Sequence, residues 1–298
     1  MIFSWYIVGY LFMAGVAGGA FFASFAVCLW DRWHATESSA HAVAAVQPGF
    51  FLAPVVALAA IDLLLLDLGN PDRILPLLMM PFDSVMNIGS WFLGLFFLLA
   101  SALALTSVFR REVPRSIMMA LGLPAALCAV GVMSYTGVLL SSMVSVEFWY
   151  SPWLVVLFVA SSLTTGAAAI VICGSIAGTP ASSRNMSGLW KVCLAFSIAE
   201  VVALLAFVAF QMQGSPMATE SCTMLLTGPL AGAFWLGVLG MGFLLPWGLH
   251  ALKALTGLSV AMLVSSASAL AGGFMLRYCV VAAGLFSPLV LSAPGPVL

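Results

Sequence analysis

The stretch Asp67-Leu68-Gly69-Asn70-Pro71-Asp72-Arg73 ends an apolar run that extends from Gly49 to Leu66. Glycine and proline interrupt helices, so the stretch predicts a loop at the end of a membrane-spanning helix. It also brings three ionisable side chains into seven residues, and Asp62 lies one turn earlier, inside the apolar run. Because ionisable groups near the hydrocarbon core are usually kept for function, we expect this loop to form one wall of a functional site.

The composition around this stretch is that of an integral membrane protein. Of the 298 residues, 63% are hydrophobic and 6% are charged, whereas a soluble domain carries about 25% charged residues. The mean hydropathy is +1.18. The formal net charge is −1, and no stretch is rich in lysine or arginine, which excludes a protein that binds nucleic acid. Membrane lipid is the expected surrounding of nearly the whole chain.

Eight apolar runs have lengths near the ~20 residues that cross a hydrocarbon core. The sequence therefore predicts an all-α integral membrane protein of about eight transmembrane helices, in one transmembrane domain that covers 1–298. The predicted spans are Trp5 to Trp30, Gly49 to Leu66, Ile88 to Val108, Ile117 to Leu140, Trp153 to Ile176, Leu189 to Phe210, Leu230 to Leu252 and Leu258 to Phe286. The last run is long enough to be tilted, or to be broken near Gly272-Gly273.

The basic residues predict the direction in which these spans cross the membrane. Those on one side are Arg32, Arg110, Arg111, Arg115, Arg184, Lys191 and Lys253. Arg73 alone lies in a loop on the other side, and Arg277 lies within the last span. Because loops rich in lysine and arginine stay in the cytoplasm, we expect both chain termini and the Asp67 to Arg73 loop to lie outside.

The two halves of the chain, approximately 1–145 and 146–298, share a short similarity. Leu11-Phe12-Met13-Ala14 resembles Leu157-Phe158-Val159-Ala160, which follows 146 residues later. With four spans in each half, both halves have the same orientation. We therefore expect two four-helix bundles side by side.

The histidines and cysteines do not form the patterns that metal centres need. His34, His41 and His250 lie in a loop or at a span end, so no two of them are expected to face each other and hold a haem. The six cysteines contain no Cys-x-x-Cys pair, which argues against an iron–sulfur cluster. We expect this chain to bind no metal, haem or cluster.

Polar residues near the predicted outer rim form a candidate site. Tyr135 lies five residues before the end of span four, which is roughly 8 Å below the rim at ~1.5 Å per residue. Tyr10 lies at a comparable depth in span one. Either tyrosine alone fits interfacial anchoring equally well. The pair gains weight from four further polar residues at the same rim, which are Asp67, Arg73, Asn87 and Trp91.

Two ionisable residues lie deeper in the predicted spans. Glu200 is near the middle of span six, and Arg277 lies within span eight. An unpaired charge at such a depth costs about 2.5–3.5 kcal/mol. Two interpretations fit equally well: a buried, hydrogen-bonded tie between helices, or a proton-transfer path that also involves Asp62 and Asp67.

Several motifs follow one another in a fixed order along the chain. The first half contains Leu11-Phe12-x-x-Gly15-x-Ala17-Gly18-Gly19, Asp67-Leu68-Gly69-Asn70-Pro71-x-Arg73, Ser84-x-Met86-x-x-Gly89-Ser90-Trp91 and Tyr135-Thr136-Gly137-x-Leu139-Leu140. The second half adds Phe148-Trp149, Pro152, Leu157-Phe158 and Arg277. Together they resemble the NrfD/PsrC-type membrane anchors of polysulfide-reductase-like complexes, and the resemblance covers essentially the whole chain.

This resemblance implies a haem-free subunit that interacts with menaquinone, menaquinol or a related quinone. It implies a ferredoxin-like iron–sulfur partner on the outer face, with a molybdopterin catalytic subunit beyond it, in a bacterial or archaeal cytoplasmic membrane. By resemblance, the quinone headgroup contacts Tyr135 and span one. Tyr10 stands where relatives can have histidine, and Ile7 where some have asparagine.

Our hypothesis is that a quinol binds near spans one to four and that Tyr135 and Tyr10 hydrogen-bond its oxygens. Asp67 or Asp62 would accept its proton, with Arg73 tuning the carboxyl. Glu200 and Arg277 would add a path to the inner face if turnover moves charge. Two alternatives remain open: a secondary transporter with a midplane site at Glu200 and Arg277, and a purely structural anchor without quinone turnover.

Overall fold

The computed structural model describes residues 5–34, 37–69, 85–109, 114–176, 183–256 and 259–285. These residues are helical almost throughout, and no β-strand occurs among them. The α-helices are α1 (Trp5–His34), α2 (Glu37–Leu68), α3 (Val85–Phe109), α4 (Arg115–Ser141), α5 (Pro152–Ile176), α6 (Ser183–Met212), α7 (Pro216–Leu226), α8 (Leu245–Thr256) and α9 (Ser259–Ala282). A 3₁₀ turn (Glu147–Trp149) precedes α5, and a π-helical stretch (Ala233–Leu244) leads directly into α8.

Within the described residues, eight helical segments are long and apolar enough to cross a membrane. They are Trp5–Trp30, Gln47–Asp67, Val85–Phe109, Ser116–Ser141, Pro152–Ile176, Lys191–Met212, Ala233–Leu252 and Val260–Ala282. The predicted all-α membrane fold with eight spans is therefore confirmed. The direction in which the spans cross the membrane stays a prediction.

Two details add to the predicted spans. Helix α2 begins at Glu37 and includes Pro48 and Pro54, so the helix extends well before the predicted start of its span. Helix α9 is continuous through Gly272 and Gly273 instead of broken there. A Cβ on Gly272 would collide with the backbone of Gly242, so this glycine permits close packing of α9 on the π-helical stretch.

The helices form two groups of four. In the first, α1 and α3 each contact both α2 and α4. In the second, α5 contacts α6 and α9, the π-helical stretch and α8 contact α9, and Trp247 of α8 donates a hydrogen bond to Ser197 of α6. The groups meet mainly where α1 crosses α5. Cβ atoms on Gly19 and Gly166 would collide with the opposite backbone there, as expected for small residues at helix interfaces in lipid.

One end of the molecule is named here the Trp5 end, where α1 begins and α4, α6 and α9 end. Trp5 of α1 stacks on Tyr278 of α9, with 5.1 Å between ring centroids. Trp149 of the 3₁₀ turn donates to the Val280 carbonyl at 2.9 Å. The Gln211 side chain donates to the Phe148 carbonyl. The stacked rings thus link the two groups of helices at this end, and the two hydrogen bonds hold the 3₁₀ turn against the second group.

Candidate functional site

Two buried tyrosines meet near the Trp5 end. Tyr10 of α1 is 1% exposed and Tyr135 of α4 is 6% exposed, and their side chains are hydrogen-bonded to each other. The Tyr135 hydroxyl also lies 3.5 Å from the Met86 carbonyl at the start of α3. Tyr10 is five residues from Trp5, or roughly 8 Å along the helix axis. The sequence prediction that these two residues share one depth agrees with this geometry.

Gly89 of α3 provides the space for Tyr135. A Cβ on Gly89 would overlap the Tyr135 ring, so the ring lies directly on the helix backbone. Asn87, two residues earlier on the same helix, is buried. Trp91 is 48% exposed. Of the two α3 residues predicted for the site, only Asn87 therefore lies inside the helix group, whereas Trp91 lies at its surface.

The two aspartates of α2 point in different directions. Asp67 lies in the last turn of α2 and is half-buried. It follows Leu63 by one turn, and Leu63 packs against Gly9 of α1, so Asp67 lies on the α2 face that contacts α1. Asp62 is exposed, on the same face as the exposed side chains of Leu58 and Leu66. Five residues along a helix rotate a side chain by about 140°, which accounts for the separation.

Asp62 thus lies on the exposed face of α2. Among the described residues, no hydrogen bond or ion pair joins it to Tyr10, Tyr135 or Glu200. Its role in proton transfer stays a prediction. Arg73 lies outside the described residues.

Arg277 of α9 is fully buried and ties three helices together. Its Nε donates to the Leu11 carbonyl of α1 at 3.2 Å. Its Nη1 donates to Ser161 Oγ of α5 and to the Gly273 carbonyl, both at 3.0 Å, and its Nη2 donates to Ser162 Oγ at 3.0 Å. A buried guanidinium needs such acceptors because its loss of hydration is otherwise unbalanced.

Aromatic rings complete the surroundings of this guanidinium. Its central carbon lies 5.6 Å from the ring centroid of Phe12 and 5.4 Å from that of Phe158, within the range of cation–π attraction. A Cβ on Gly15 would come within 2.6 Å of Arg277 Nη2. The guanidinium thus occupies the space that a side chain at Gly15 would need.

Glu200 of α6 lies on the other side of Ser161. It is 3% exposed, and its carboxyl is hydrogen-bonded to the side chains of Ser161 and Thr164. Because Ser161 Oγ also accepts from Arg277, one hydroxyl joins the two charged side chains. The deep residues predicted from the sequence are therefore brought together, while the choice between helix tie and proton path stays open.

Sequence reasoning missed three contributors to these contacts. Ser161 and Ser162 belong to a run whose pattern indicates helix packing, and Gly89 stands out only as a motif glycine. The signal in the sequence was the buried arginine itself, since a guanidinium in lipid requires several oxygen acceptors. Nothing in one sequence indicates which hydroxyls supply them.

Comparison with known proteins places this geometry in context. The family model described as "Polysulphide reductase, NrfD" matches residues 1–288. A component of the polysulfide reductase of Wolinella succinogenes is 29% identical, over 95% of this chain and 94% of that protein. Protein NrfD of Escherichia coli is 29% identical over 51% of this chain and 48% of its own length. A subunit of the selenate reductase of Mesobacillus selenatarsenatis is 30% identical over 52% of this chain and 38% of its own length.

Proposed function

Because the chain belongs to the NrfD family, we propose that it is the membrane subunit of a respiratory oxidoreductase complex and exchanges electrons between a quinol and a docked iron–sulfur subunit. Two relatives are named as parts of a polysulfide reductase and of a selenate reductase, which supports membership of a complex. The observation that carries the quinol part of the proposal is the buried pair of Tyr10 and Tyr135 near one end of the helices.

The donor set of this pair fits a quinone or quinol headgroup. A phenol hydroxyl both donates and accepts hydrogen bonds, so the two tyrosines suit the carbonyl oxygens of a quinone and the hydroxyls of a quinol. When bound, menaquinol or a related quinol would supply the two-electron chemistry that these side chains lack. Tyr10 and Tyr135 would hold and orient the headgroup oxygens, and the close contact with Gly89 would fix the Tyr135 ring.

Asp67 is the better placed of the two aspartates to accept a proton. It is half-buried at the Trp5 end, on the α2 face that packs on α1, whereas Asp62 faces outward. A general base must lie within reach of the proton donor, directly or through one water. Asp67 would pass the proton to the aqueous side of the Trp5 end, with Arg73 as its predicted neighbour.

In the proposed complex, the partner subunits would bind at the same end of the molecule. A ferredoxin-like iron–sulfur subunit would dock on the Trp5 end, a molybdopterin catalytic subunit would bind beyond it, and this end would face the periplasm or the cell exterior. Glu200 and Arg277 would add proton movement through the second group of helices. Helix α9 is continuous through Gly272 and Gly273, so it lacks the break that the unwound helices of secondary transporters have.

The test uses the complex purified with its native partners and a water-soluble menaquinol analogue as electron donor. We expect Tyr135→Phe and Tyr10→Phe each to lower quinol-linked kcat/KM about tenfold or more, because a hydrogen bond to the reacting group is lost. The matched control is Tyr150→Phe, a tyrosine at the same end that is 71% exposed. Electron transfer from an artificial donor directly to the soluble subunits should be unchanged in all three variants.

Equal quinol-linked rates in Tyr10→Phe, Tyr135→Phe and wild type would leave the structural anchor as the function. The artificial-donor rate shows whether the soluble subunits are intact and present, because it falls when they are damaged or lost from the purified complex.

A further inference from the structure

The second group of helices contains a small, partly open cavity with both polar and apolar walls. Its volume is about 30 Å³, and it lies between α5, α6, α8 and α9. The polar side chains that line it are Thr164, Ser197, Trp247, His250, Ser265 and Ser266. A cavity needs roughly 10–15 Å³ per water molecule and polar partners for each. This cavity therefore has the volume and the hydrogen-bonding groups for about two waters.

One residue of the cavity wall, Thr164, connects the cavity to Glu200. Thr164 lines the cavity and is also hydrogen-bonded to the Glu200 carboxyl. Ser197 precedes Glu200 by one turn of α6 and accepts a hydrogen bond from Trp247 Nε1 at 2.9 Å, so it lies on the same side of α6. The cavity thus leads to the carboxyl that Ser161 joins to Arg277.

The other end of the cavity, away from Glu200, lies toward the end of the molecule opposite to the tyrosines. Cys193, which also lines it, is two residues from the start of the Lys191–Met212 span. His250 lines it from α8 and is partly exposed. The titratable groups along this line are Cys193, His250, Glu200 and Arg277, and they belong to three of the four surrounding helices.

We propose that this cavity is a water-filled access path through which protons reach Glu200 from the end opposite to Tyr10 and Tyr135. This proposal depends on the proposed function in one respect only: a quinol-linked complex gives a proton path a use. The hydroxyls of Ser197 and Ser266 can each donate and accept, so they can orient waters in either direction, whereas the Thr164 hydroxyl also donates to the Ala160 carbonyl at 3.1 Å. Ionisable side chains within a membrane span, such as Glu200, face the interior of the helix bundle or a water-filled cavity.

The test measures whether the inner part of the cavity is wet. Ala269→Cys places a thiol on the cavity wall, and Ala267→Cys places one on the exposed face of the same helix, two residues away. The full chain in lipid nanodiscs is treated with Ag⁺, a thiol-binding cation of nearly the size of water. After unfolding, alkylation of each cysteine is quantified by mass spectrometry, so the six native cysteines stay in place.

We expect the thiol of Ala269→Cys to bind Ag⁺ at least about tenfold faster than that of Ala267→Cys, because Ag⁺ crosses water readily and hydrocarbon poorly. Adding Ser266→Leu, which fills the cavity, should remove this difference. Ala168→Cys, on the α5 wall of the same cavity, serves as a second reporter if Ala269→Cys does not fold.

Equal rates at the cavity and at the exposed face, or a rate that Ser266→Leu does not change, would overturn the proposal. The measurement needs no quinol and no partner subunit. A dry cavity therefore leaves the quinol assay above unaffected, and a negative quinol assay leaves the Ag⁺ result readable.

Discussion

The two halves of the molecule hold their polar groups in opposite ways. In the first half, Tyr10 and Tyr135 are uncharged, lie near one end and bond mainly to each other. In the second half, Glu200 and Arg277 are ionisable, lie deep in their spans and are enclosed by hydroxyls, carbonyls and rings. The Tyr135 hydroxyl also lies 3.5 Å from the Met86 carbonyl, whereas four hydrogen bonds occupy the guanidinium.

The comparison also shows where the halves are joined. Arg277 of the second half donates to the Leu11 carbonyl, and Leu11 follows Tyr10 directly in α1. A change at the guanidinium therefore reaches the helix turn that carries a site tyrosine. Substitutions at the guanidinium and at the tyrosines therefore separate the helix tie from the proposed quinol contact.

The largest effect is expected for Arg277→Leu. The substitution removes four hydrogen bonds and leaves Glu200 without its buried electrostatic partner, which should cost about 3–5 kcal/mol. The free energy of unfolding, measured by denaturant titration in mixed micelles, checks this. The control is Glu200→Gln, which keeps a hydrogen-bonding side chain and all four acceptors of Arg277, and should cost less. A loss in Arg277→Leu no greater than that in Glu200→Gln would contradict the tie.

A smaller effect, on quinol-linked activity, is expected from combining Tyr10→Phe and Tyr135→Phe. If the two hydroxyls act on the headgroup as one unit, the double variant should lose far less than the product of the two single losses, with a coupling of about 0.5–3 kcal/mol. Quinol-linked kcat/KM of the four proteins in this cycle gives the coupling. Strictly multiplicative losses would mean that the tyrosines act independently.

A smaller effect again is expected from overpacking at Gly89. A Cβ there overlaps the Tyr135 ring, so Gly89→Ala should lower the free energy of unfolding by about 1–3 kcal/mol through overpacking. It should also lower the quinol-linked rate. Gly94→Ala is the matched control on the same helix, because nothing lies within 4 Å of its added Cβ. Similar unfolding energies for the two variants would show that the Tyr135 ring moves aside freely.

The sequence predicted the depth of these groups better than their direction. Depth along a helix follows from counting residues at a constant rise, so the shared level of Tyr10 and Tyr135 could be predicted. Direction around a helix normally follows from an apolar stripe. Helix α2 is apolar on nearly every side near Asp62, and no stripe distinguishes the face toward lipid from the face toward α1. For that reason the sequence alone does not separate Asp62 from Asp67.

The sequence also does not reveal contact partners that are distant along the chain. Arg277 and Ser161 are 116 residues apart, and the crossing of α1, α5 and α9 that brings them together depends on glycines such as Gly15 and Gly166. Small residues indicate that helices pack closely, but they do not specify which helix packs against which. The rarity of charges therefore identified Glu200 and Arg277, while the hydroxyl that joins them required the structure.

The smallest effect is expected at Asp62, which serves as the control for Asp67 on the same helix. Asp62 is exposed beside apolar side chains of α2, so Asp62→Asn should change the quinol-linked rate by less than about twofold, as for surface sites outside named mechanisms. Asp67→Asn removes the proposed proton acceptor and should slow the same assay about tenfold or more. Both changes replace a carboxylate by an amide on one helix, so a difference between them reflects the position of the carboxylate and not the kind of substitution. Equal slowing in both variants would therefore contradict the assignment of proton transfer to Asp67.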